Sequence, residues 1–342
     1  MRKFLYICAL CFWGFIACAQ DGFEAWKTNF QQDALQQGVS QETLDAYLPL
    51  MQYHPEVIRL DQHQPEFKQT LCPYLQARLS ESRLKKVSDV FIQHRKTLQK
   101  VEEQYHVPAH YLLALWGLET NFGATKGRFD LLSALATLAY DTRRSGFFKK
   151  QLIALLKILQ EEKINVPKGS WAGAFGHFQF MPTTFLAYAV DFNGDGKRDV
   201  YEDTEDAIAS AANYLTAMGW DPHARWGRVV RLPKQFNPDL VGKKHPLSFW
   251  KKQGVRPIKS QSWNIKAAKD LPAVLLAPWG VKHTAFLLYP NFYVIKKWNN
   301  SDWYALSVGL MSDIIAHRGD FYPKDCAQLP EPVQKNTKEN KK

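Results

Sequence analysis

In the stretch ALWGLETNFG, residues 114–123, one carboxylate, Glu119, sits among residues that are otherwise apolar or small. Leu112, Leu115, Trp116 and Glu119 recur at i, i+3, i+4 and i+7, which is one face of a helix. Pro108 suits the first turn of that helix and Gly123 helps to close it. Burial disfavours the ionised form of a carboxyl group, so this placement predicts an acid that keeps its proton near neutral pH. Such a group can protonate a leaving oxygen. The competing reading is a glutamate turned to solvent or paired with Arg143 or Arg144. No second carboxylate is tied to Glu119. Asp130 and Asp141 are candidates by type alone, so one residue would have to serve as acid first and base second.

Two further motifs follow. GSWAGAFGHFQFMP, residues 169–182, interleaves Phe175, Phe178 and Phe180 with glycine and alanine. Glycine lets backbone approach a partner closely. Ser170 offers a hydroxyl, and Gln179 both a donor and an acceptor. A tight turn filled by the phenylalanines is the plainer reading, and His177 reads as structural. DFNGDGKRDVYE, residues 191–202, fits the EF-hand loop pattern without a gap. Asp191, Asn193 and Asp195 supply oxygens at loop positions 1, 3 and 5, and Gly196 makes the turn. Lys197 offers its carbonyl, Asp199 acts through water and Glu202 falls at position 12. Asp206 is the alternative closing ligand. Hard oxygen donors favour Ca²⁺; an Asx-rich turn without metal is the alternative. A lone hand of this kind reads as a structural staple.

The elements that must position these residues are mostly helical. Helical patterning runs from Gly22 to about His106, with Ser40 as a cap, and Val107–Trp220 is denser in apolar residues. Leu131–Tyr140, Gln151–Leu159 and Ala207–Met218 read as helices, and Thr183–Val190 is helix-like. From Asp221 to Lys282 periodicity fades, and short runs such as VVRL and AVLL predict a small β-rich insertion. From Ala285 to His317 the pattern AFLLYPNFYVIKKWN and SDWYALSVGLMSDIIAH reads as helical again. The result is a mainly α chain, α+β in class, with a polar tail that reads as disordered.

Residues 1–20 combine basic Arg2 and Lys3, an apolar run from Phe4 to Ile16 and an A-x-A site at Ala17–Ala19. This is the pattern of a secretory signal peptide. A lipoprotein anchored through Cys18 is the alternative. The mature chain would keep Cys72 and Cys326, which form either one disulfide or two free thiols. The formal charge of +11 over 342 residues suits an acidic polymer. Export argues against nucleic acid as that partner.

In order, WGLETNFG, LATLAYDTRRSGFF, GSWAGAFGHFQFMPTT, DFNGDGKRDV, ASAANYLTAMGW and YPNFYVIKKWN resemble the membrane-bound lytic murein transglycosylase B family of glycoside hydrolases. The resemblance covers nearly the whole mature chain. It implies a lysozyme-like α core, an N-terminal helical domain and a small β-rich insertion. The corresponding boundaries are 1–19 (signal), 20–106 (helical domain), 107–222 (core), 223–284 (insertion), 285–325 (return to the core) and 326–342 (tail). It implies Glu119 as the sole acid/base and sugar contacts from Ser170, Gln179 and Tyr214. It also implies glycan or stem-peptide contacts from Arg143, Arg144 and Asn291. The loop would hold Ca²⁺, with Asp206 favoured over Glu202 as the closing ligand, and no organic cofactor is expected. The expected activity is non-hydrolytic cleavage of the β-1,4 bond between N-acetylmuramic acid and N-acetylglucosamine. A muramidase and a non-catalytic peptidoglycan-binding scaffold are the rivals. The expected setting is the periplasm or, through Cys18, the outer membrane. Glycan strands are the expected partner of a monomer, with cell-wall machinery as a further one.

Overall fold

A computed structural model of the chain describes residues 22–63, 70–258, 270–318 and 326. The signal segment with Cys18, and the tail beyond residue 326, lie outside the described residues. The helices in chain order are α1 (22–36), α2 (Gln41–Tyr47), α3 (Pro55–Gln62), α4 (Leu71–Arg78), α5 (Glu81–Gln93), α6 (Arg95–Tyr105) and α7 (Ala109–Thr120). After them come α8 (Leu131–Tyr140), α9 (Ser145–Glu162), α10 (Pro182–Tyr188), α11 (Thr204–Ala217), α12 (Leu247–Lys252), α13 (Pro290–Trp298) and α14 (Asp302–Ile315). The strands are β1 (Phe129–Asp130), β2 (Lys168–Gly169), β3 (Gly227–Arg231), β4 (Lys244–Pro246), β5 (Arg256–Pro257), β6 (Pro272–Leu276) and β7 (Ala285–Leu288). The chain divides into two compact units, each built from two segments: 1–64 with 124–207, and 65–123 with 208–342.

In the first unit, α8 is buried from Leu131 to Ala139 and packs on α9. Asp130 caps α8 by accepting from the Ser133 amide at 2.8 Å, and Asp141 at its far end accepts from the Arg143 amide at 2.8 Å. Both carboxylates therefore have local backbone roles. Ser40 caps α2 as its type predicts, accepting from the Thr43 amide at 3.1 Å. Phe23, Trp26, Phe30, Tyr53 and Tyr140 form an aromatic cluster under α1. Helix α9 starts at Ser145, ahead of the expected Gln151.

The second unit wraps α5, α6 and α14 around α7, with α4 against α14. A five-stranded antiparallel sheet of order β4-β6-β7-β3-β5 carries its own core, including Trp250, Val230, Leu275 and Leu287. Two expectations change here. AFLL is strand β7, paired to both β3 and β6, rather than the start of a helix. Its four side chains are buried because a central strand is covered on both sides; so short an apolar run has no period of its own, and Pro290 ends it. Helix α7 does not carry a one-sided apolar stripe: Tyr111 to Leu118 are all buried. A helix covered all round needs no polar face. Cys72 and Cys326 are bonded, with Cα atoms 5.5 Å apart, fixing α4 to residue 326.

Candidate active site

Glu119 occupies the last turn of α7 and is half-buried. The helix stops abruptly because Asn121, Phe122 and Gly123 all take left-handed φ values of 51°, 61° and 84°. A bulky aromatic in that region is an outlier that its surroundings must hold. The Phe122 ring packs edge-on against Trp116, with centroids 5.9 Å apart, and Thr120 Oγ1 accepts from the Gly123 amide at 2.9 Å. The carboxylate is thereby presented on a stiff helix end.

Two donors from distant parts of the same unit meet it. Trp298 Nε1 donates to Glu119 Oε1 at 3.1 Å, and the Tyr304 hydroxyl donates to the same oxygen. Trp298 ends α13 and Tyr304 lies in the first turn of α14. Ser301 caps α14 by accepting from the Tyr304 amide, and Lys296 pairs with Asp302 at 2.7 Å across the corner. Burial and the neighbouring Glu119 charge push the Tyr304 hydroxyl well above its ordinary pKa, so it remains a donor. Glu119 Oε1 thus accepts from one N–H and one O–H donor, both on aromatic side chains. Sequence reasoning missed Trp298 and Tyr304. The only local signal was the Ser301 cap ahead of DWY.

Tyr214 joins this group indirectly. Its ring meets Trp298 edge-on at 4.9 Å, and its hydroxyl donates to the Lys297 carbonyl at 2.7 Å. Asn291, in the same unit, is 0% exposed. Its Oδ1 accepts from the Asp221 amide at 2.9 Å, and its Nδ2 donates to the Asp221 and Ala224 carbonyls at 2.8 Å. Its amide is fully engaged in holding the 221–224 turn.

The remaining predicted residues lie in the first unit. The glycine-rich motif is a tight turn with Phe175, Phe178 and Phe180 buried beneath it. Gly176, at φ 77°, has no room for a side chain, since a Cβ would lie 2.5 Å from the Val200 carbonyl oxygen. Ser170 Oγ accepts from the Ala174 amide at 3.0 Å. Gln179 takes a left-handed φ of 52°, and its Nε2 donates to the Lys126 and Gly176 carbonyls at 3.1 Å. Ser170 and Gln179 are half-buried, which leaves each part of its surface open. Arg143 and Arg144 converge on a residue the sequence did not flag, Asp61. Arg143 Nε donates to Asp61 Oδ2 at 2.8 Å, and Arg144 bonds Oδ1. Asp61 is buried, while the arginine side chains are 48% and 41% exposed. The pairs thus order two guanidiniums that still face water.

In the EF-hand-like loop the acidic side chains fold back on backbone amides. Asp191 accepts from Gly194 and Gly196, Asn193 Oδ1 from Asp195, and Asp195 from Lys197. Asp206, 1% exposed, accepts from Phe192 at 2.7 Å and Asp199 at 2.8 Å. Desolvation raises its pKa, opposed by those amides. Glu202 is 75% exposed and 3.8 Å from Lys126 Nζ. Among the described residues, no group of three or more His, Cys, Asp or Glu side chains is drawn to one point as a metal cluster. The donor set of Asp191, Asn193, Asp195, the Lys197 carbonyl and Asp206 is all oxygen, and each carboxylate has lone pairs beyond its amide bonds. Its chemistry therefore fits a hard cation.

A mainly helical chain with a small antiparallel sheet and a carboxylate on a buried helix end is matched, over residues 22–313, by the transglycosylase SLT domain, and the chain belongs to that family. It is 33% identical over 233 residues to membrane-bound lytic murein transglycosylase B of Escherichia coli K12. That match covers 66% of this chain and 61% of the E. coli protein. It also superposes on SltB3 from Pseudomonas aeruginosa, solved in complex with NAG-anhNAM-pentapeptide, with a TM-score of 0.83 and 39% identity. That superposition covers 91% of this chain and 84% of SltB3. The E. coli lytic transglycosylase Slt35, solved in complex with calcium, matches with a TM-score of 0.72 and 27% identity, over 85% of this chain and 93% of that one. The fold is the lysozyme-like one of these enzymes.

Proposed function

We propose that the chain is a lytic murein transglycosylase that cleaves the β-1,4 bond between N-acetylmuramic acid and N-acetylglucosamine in peptidoglycan. The observation that carries this reading is Glu119 on a rigid helix end with Trp298 and Tyr304 donating to one of its oxygens. Family membership, and the peptidoglycan fragments bound to SltB3, support it. Most glycosidases employ two carboxylates, with substrate-assisted families as the exception. Here Glu119 protonates the glycosidic oxygen as the bond to muramyl C1 breaks. The substrate's acetamido group stabilises the cation that develops at C1. Glu119, now a base, takes the proton from the muramyl O6, which bonds to C1 and leaves a 1,6-anhydro end. No water is consumed. Trp298 and Tyr304 hold Oε1 through both halves of the cycle.

Ser170, Gln179 and Tyr214 are proposed as sugar contacts, and Arg143 and Arg144 as contacts to glycan or stem peptide. The half-burial of Ser170 and Gln179 and the exposure of the two guanidiniums support this. For Asn291 we propose a positioning role through the 221–224 turn, because its amide is already engaged. For the loop we propose a structural Ca²⁺ held by Asp191, Asn193, Asp195, the Lys197 carbonyl and Asp206. The exposure of Glu202 supports Asp206 as the closing ligand. When bound, the ion would supply charge neutralisation that ties the loop to the first turn of α11. Export by residues 1–19 to the periplasm, action as a monomer and the domain boundaries given above are proposed on the sequence. No described helix is long and apolar enough to cross a membrane.

The deciding experiment is digestion of purified murein sacculi by the wild type and by Glu119→Gln, with product masses measured. Anhydro-muramyl ends from the wild type and at least a thousandfold loss in the variant are expected. Reducing ends alone would make the enzyme a muramidase. Undiminished function in the variant would make it a scaffold.

A further inference from the structure

The positive charge of the chain is not spread along it. Residues 223–284, the β-rich insertion, hold 13 of the 44 lysines and arginines but 2 of the 33 aspartates and glutamates. The other 280 residues carry 31 of each sign, so the whole net charge of +11 belongs to this one segment. Ion pairing within the chain moves charge about but cannot remove a surplus, and the rest of the chain has no net negative charge to give. The surplus is met by small ions or by an acidic partner.

The fold of the insertion gathers part of this charge in one place. Arg231 at the end of β3 and Arg256 on β5 are partners in the antiparallel register, so both side chains leave the same face of the sheet. Both are exposed. Like charges placed directly opposite destabilise a sheet, so the pair is kept at a cost. Arg256 Nη1 donates to the Lys251 carbonyl at 3.4 Å, which brings the end of α12, with Lys251 and the exposed Lys252, to the same edge. Gly254 lies against the Pro233 ring, so the exposed Lys234 joins the group. Of the two acids, Asp270 accepts from the Ser248 amide at 3.0 Å beside Lys251, and Asp239 lies in the short turn at Pro238–Leu240. Cations on edge strands also keep a sheet from pairing with stray strands. Lys244 on β4 and Arg256 on β5 suffice for that, and a net charge of about 2–8 keeps a small domain soluble. Neither need accounts for 13 cations against 2 acids.

We propose that the insertion is a docking surface for the carboxylate-bearing stem peptides of peptidoglycan strands. The choice of polymer rests on the peptidoglycan reading above; the acidity of the partner does not. Each exposed ion pair contributes little, so affinity comes from many pairs made at once along a repeating polymer. A lipid surface suits the insertion less well. Docking on lipid combines cations with exposed apolar side chains. Among the described residues, the exposed large hydrophobic side chains are Leu35, Leu50, Phe91, Ile92, Phe147 and Tyr293, all outside the insertion.

Co-sedimentation of the full chain with purified murein sacculi tests this, in the Glu119→Gln background so that the polymer stays intact. Raising salt from about 0.05 M to about 0.5 M shortens the screening length severalfold and is expected to weaken binding at least tenfold. The triple variant Arg231→Gln, Lys234→Gln, Lys252→Gln is expected to bind at least fivefold more weakly at low salt, with an unchanged melting temperature. An equal loss of charge elsewhere, Lys86→Gln, Lys96→Gln, Lys100→Gln on α5 and α6, is expected to change binding less than twofold. Sacculi whose carboxylates have been converted to amides should bind the unaltered insertion at least fivefold more weakly. Undiminished binding by the first triple variant, an equal loss in the second, or equal binding of amidated sacculi overturns the proposal. Binding to phosphatidylglycerol vesicles at a lower concentration of anionic groups than to sacculi also overturns it, in favour of a lipid surface. Cleavage by the wild type is scored separately from product masses. Cleavage with binding that ignores the insertion removes this surface alone, and insertion-dependent binding without cleavage removes the proposed reaction alone.

Discussion

The Tyr304 hydroxyl donates to Glu119 Oε1, joining residues 185 apart in sequence. The phenol comes from the first turn of α14 and the carboxylate from the last turn of α7, so the contact fixes the register of two helices as well as a proton donor. Burial keeps Tyr304 protonated across the physiological range.

Tyr304→Phe keeps the ring and removes the donor. A hydrogen bond to a charged group contributes roughly 1.5–3 kcal/mol, so turnover on sacculi should fall about 10- to 100-fold. The pH–rate profile should move as well, since Glu119 loses a group that favours its charged form. A drop in melting temperature with an unchanged pH profile and rate would count against a role at the carboxylate.

Calcium should stabilise the first unit. At free calcium a hundredfold above its dissociation constant the gain is about 2.7 kcal/mol, which is several degrees in a melt. Chelation by EDTA should reverse it, and Asp206→Asn should abolish it, while Glu202→Gln should leave it intact. Equal melts with calcium and with EDTA in the wild type would remove the proposed ion.

His110 predicts an acid-labile second unit. Its folded-state pKa, about 4, lies below the ordinary 6.5. Between these values the unfolded chain binds the extra proton, so stability is present in full above about pH 6.5 and falls as pH drops toward 4. His110 lines one cavity with Glu102 from α6, Tyr111, His223, Arg225, Arg228 and Arg318, and Asp313 pairs with Arg225. The loss reaches up to about 3 kcal/mol. Urea unfolding of the wild type and His110→Gln at pH 7 and pH 4.5 measures it. The variant should show the smaller change, and identical pH dependence would refute the assignment.

Gly309→Ala should destabilise the second unit. An added Cβ at this position in α14 would fall on the Trp226 ring. That indole is buried and pinned by Asp313 and by the Tyr111 hydroxyl, which accepts from the Trp226 amide at 3.1 Å. Overpacking costs about 1–3 kcal/mol, offset by roughly 1 kcal/mol of helix propensity, so a net loss of up to about 2 kcal/mol is expected in urea unfolding.

Local patterns in the sequence carried what is local in the structure. Leu131–Tyr140 is a helix with the predicted bounds, and Ser40 caps where its type and position say it should. The acidic loop likewise announces its own turn, because its hydrogen bonds run between residues two to five apart. Long-range partners leave no such mark. Nothing in WNNSDWY says that its tryptophan and tyrosine meet Glu119, and nothing near Asp61 says that it collects Arg143 and Arg144. The apolar stripe of α7 was read as one face because spacing shows periodicity, whereas burial on every side is decided by α5, α6 and α14. AFLL was misread for the same reason: a central strand is defined by the neighbours that flank it.

The second unit closes around an interruption. Residues 65–123 belong with 208–342, and the whole 124–207 segment must be made between them. During synthesis Glu119 therefore exists for a long interval as a glutamate without its indole and phenol, which arrive 179 and 185 residues later. Cys72 waits longer still, for a partner 254 residues on. Contacts this distant form late in folding. A chain cut short before residue 298 carries Glu119 without the two side chains that hold its Oε1, so the proposed cleavage would become possible only at the end of the chain's manufacture.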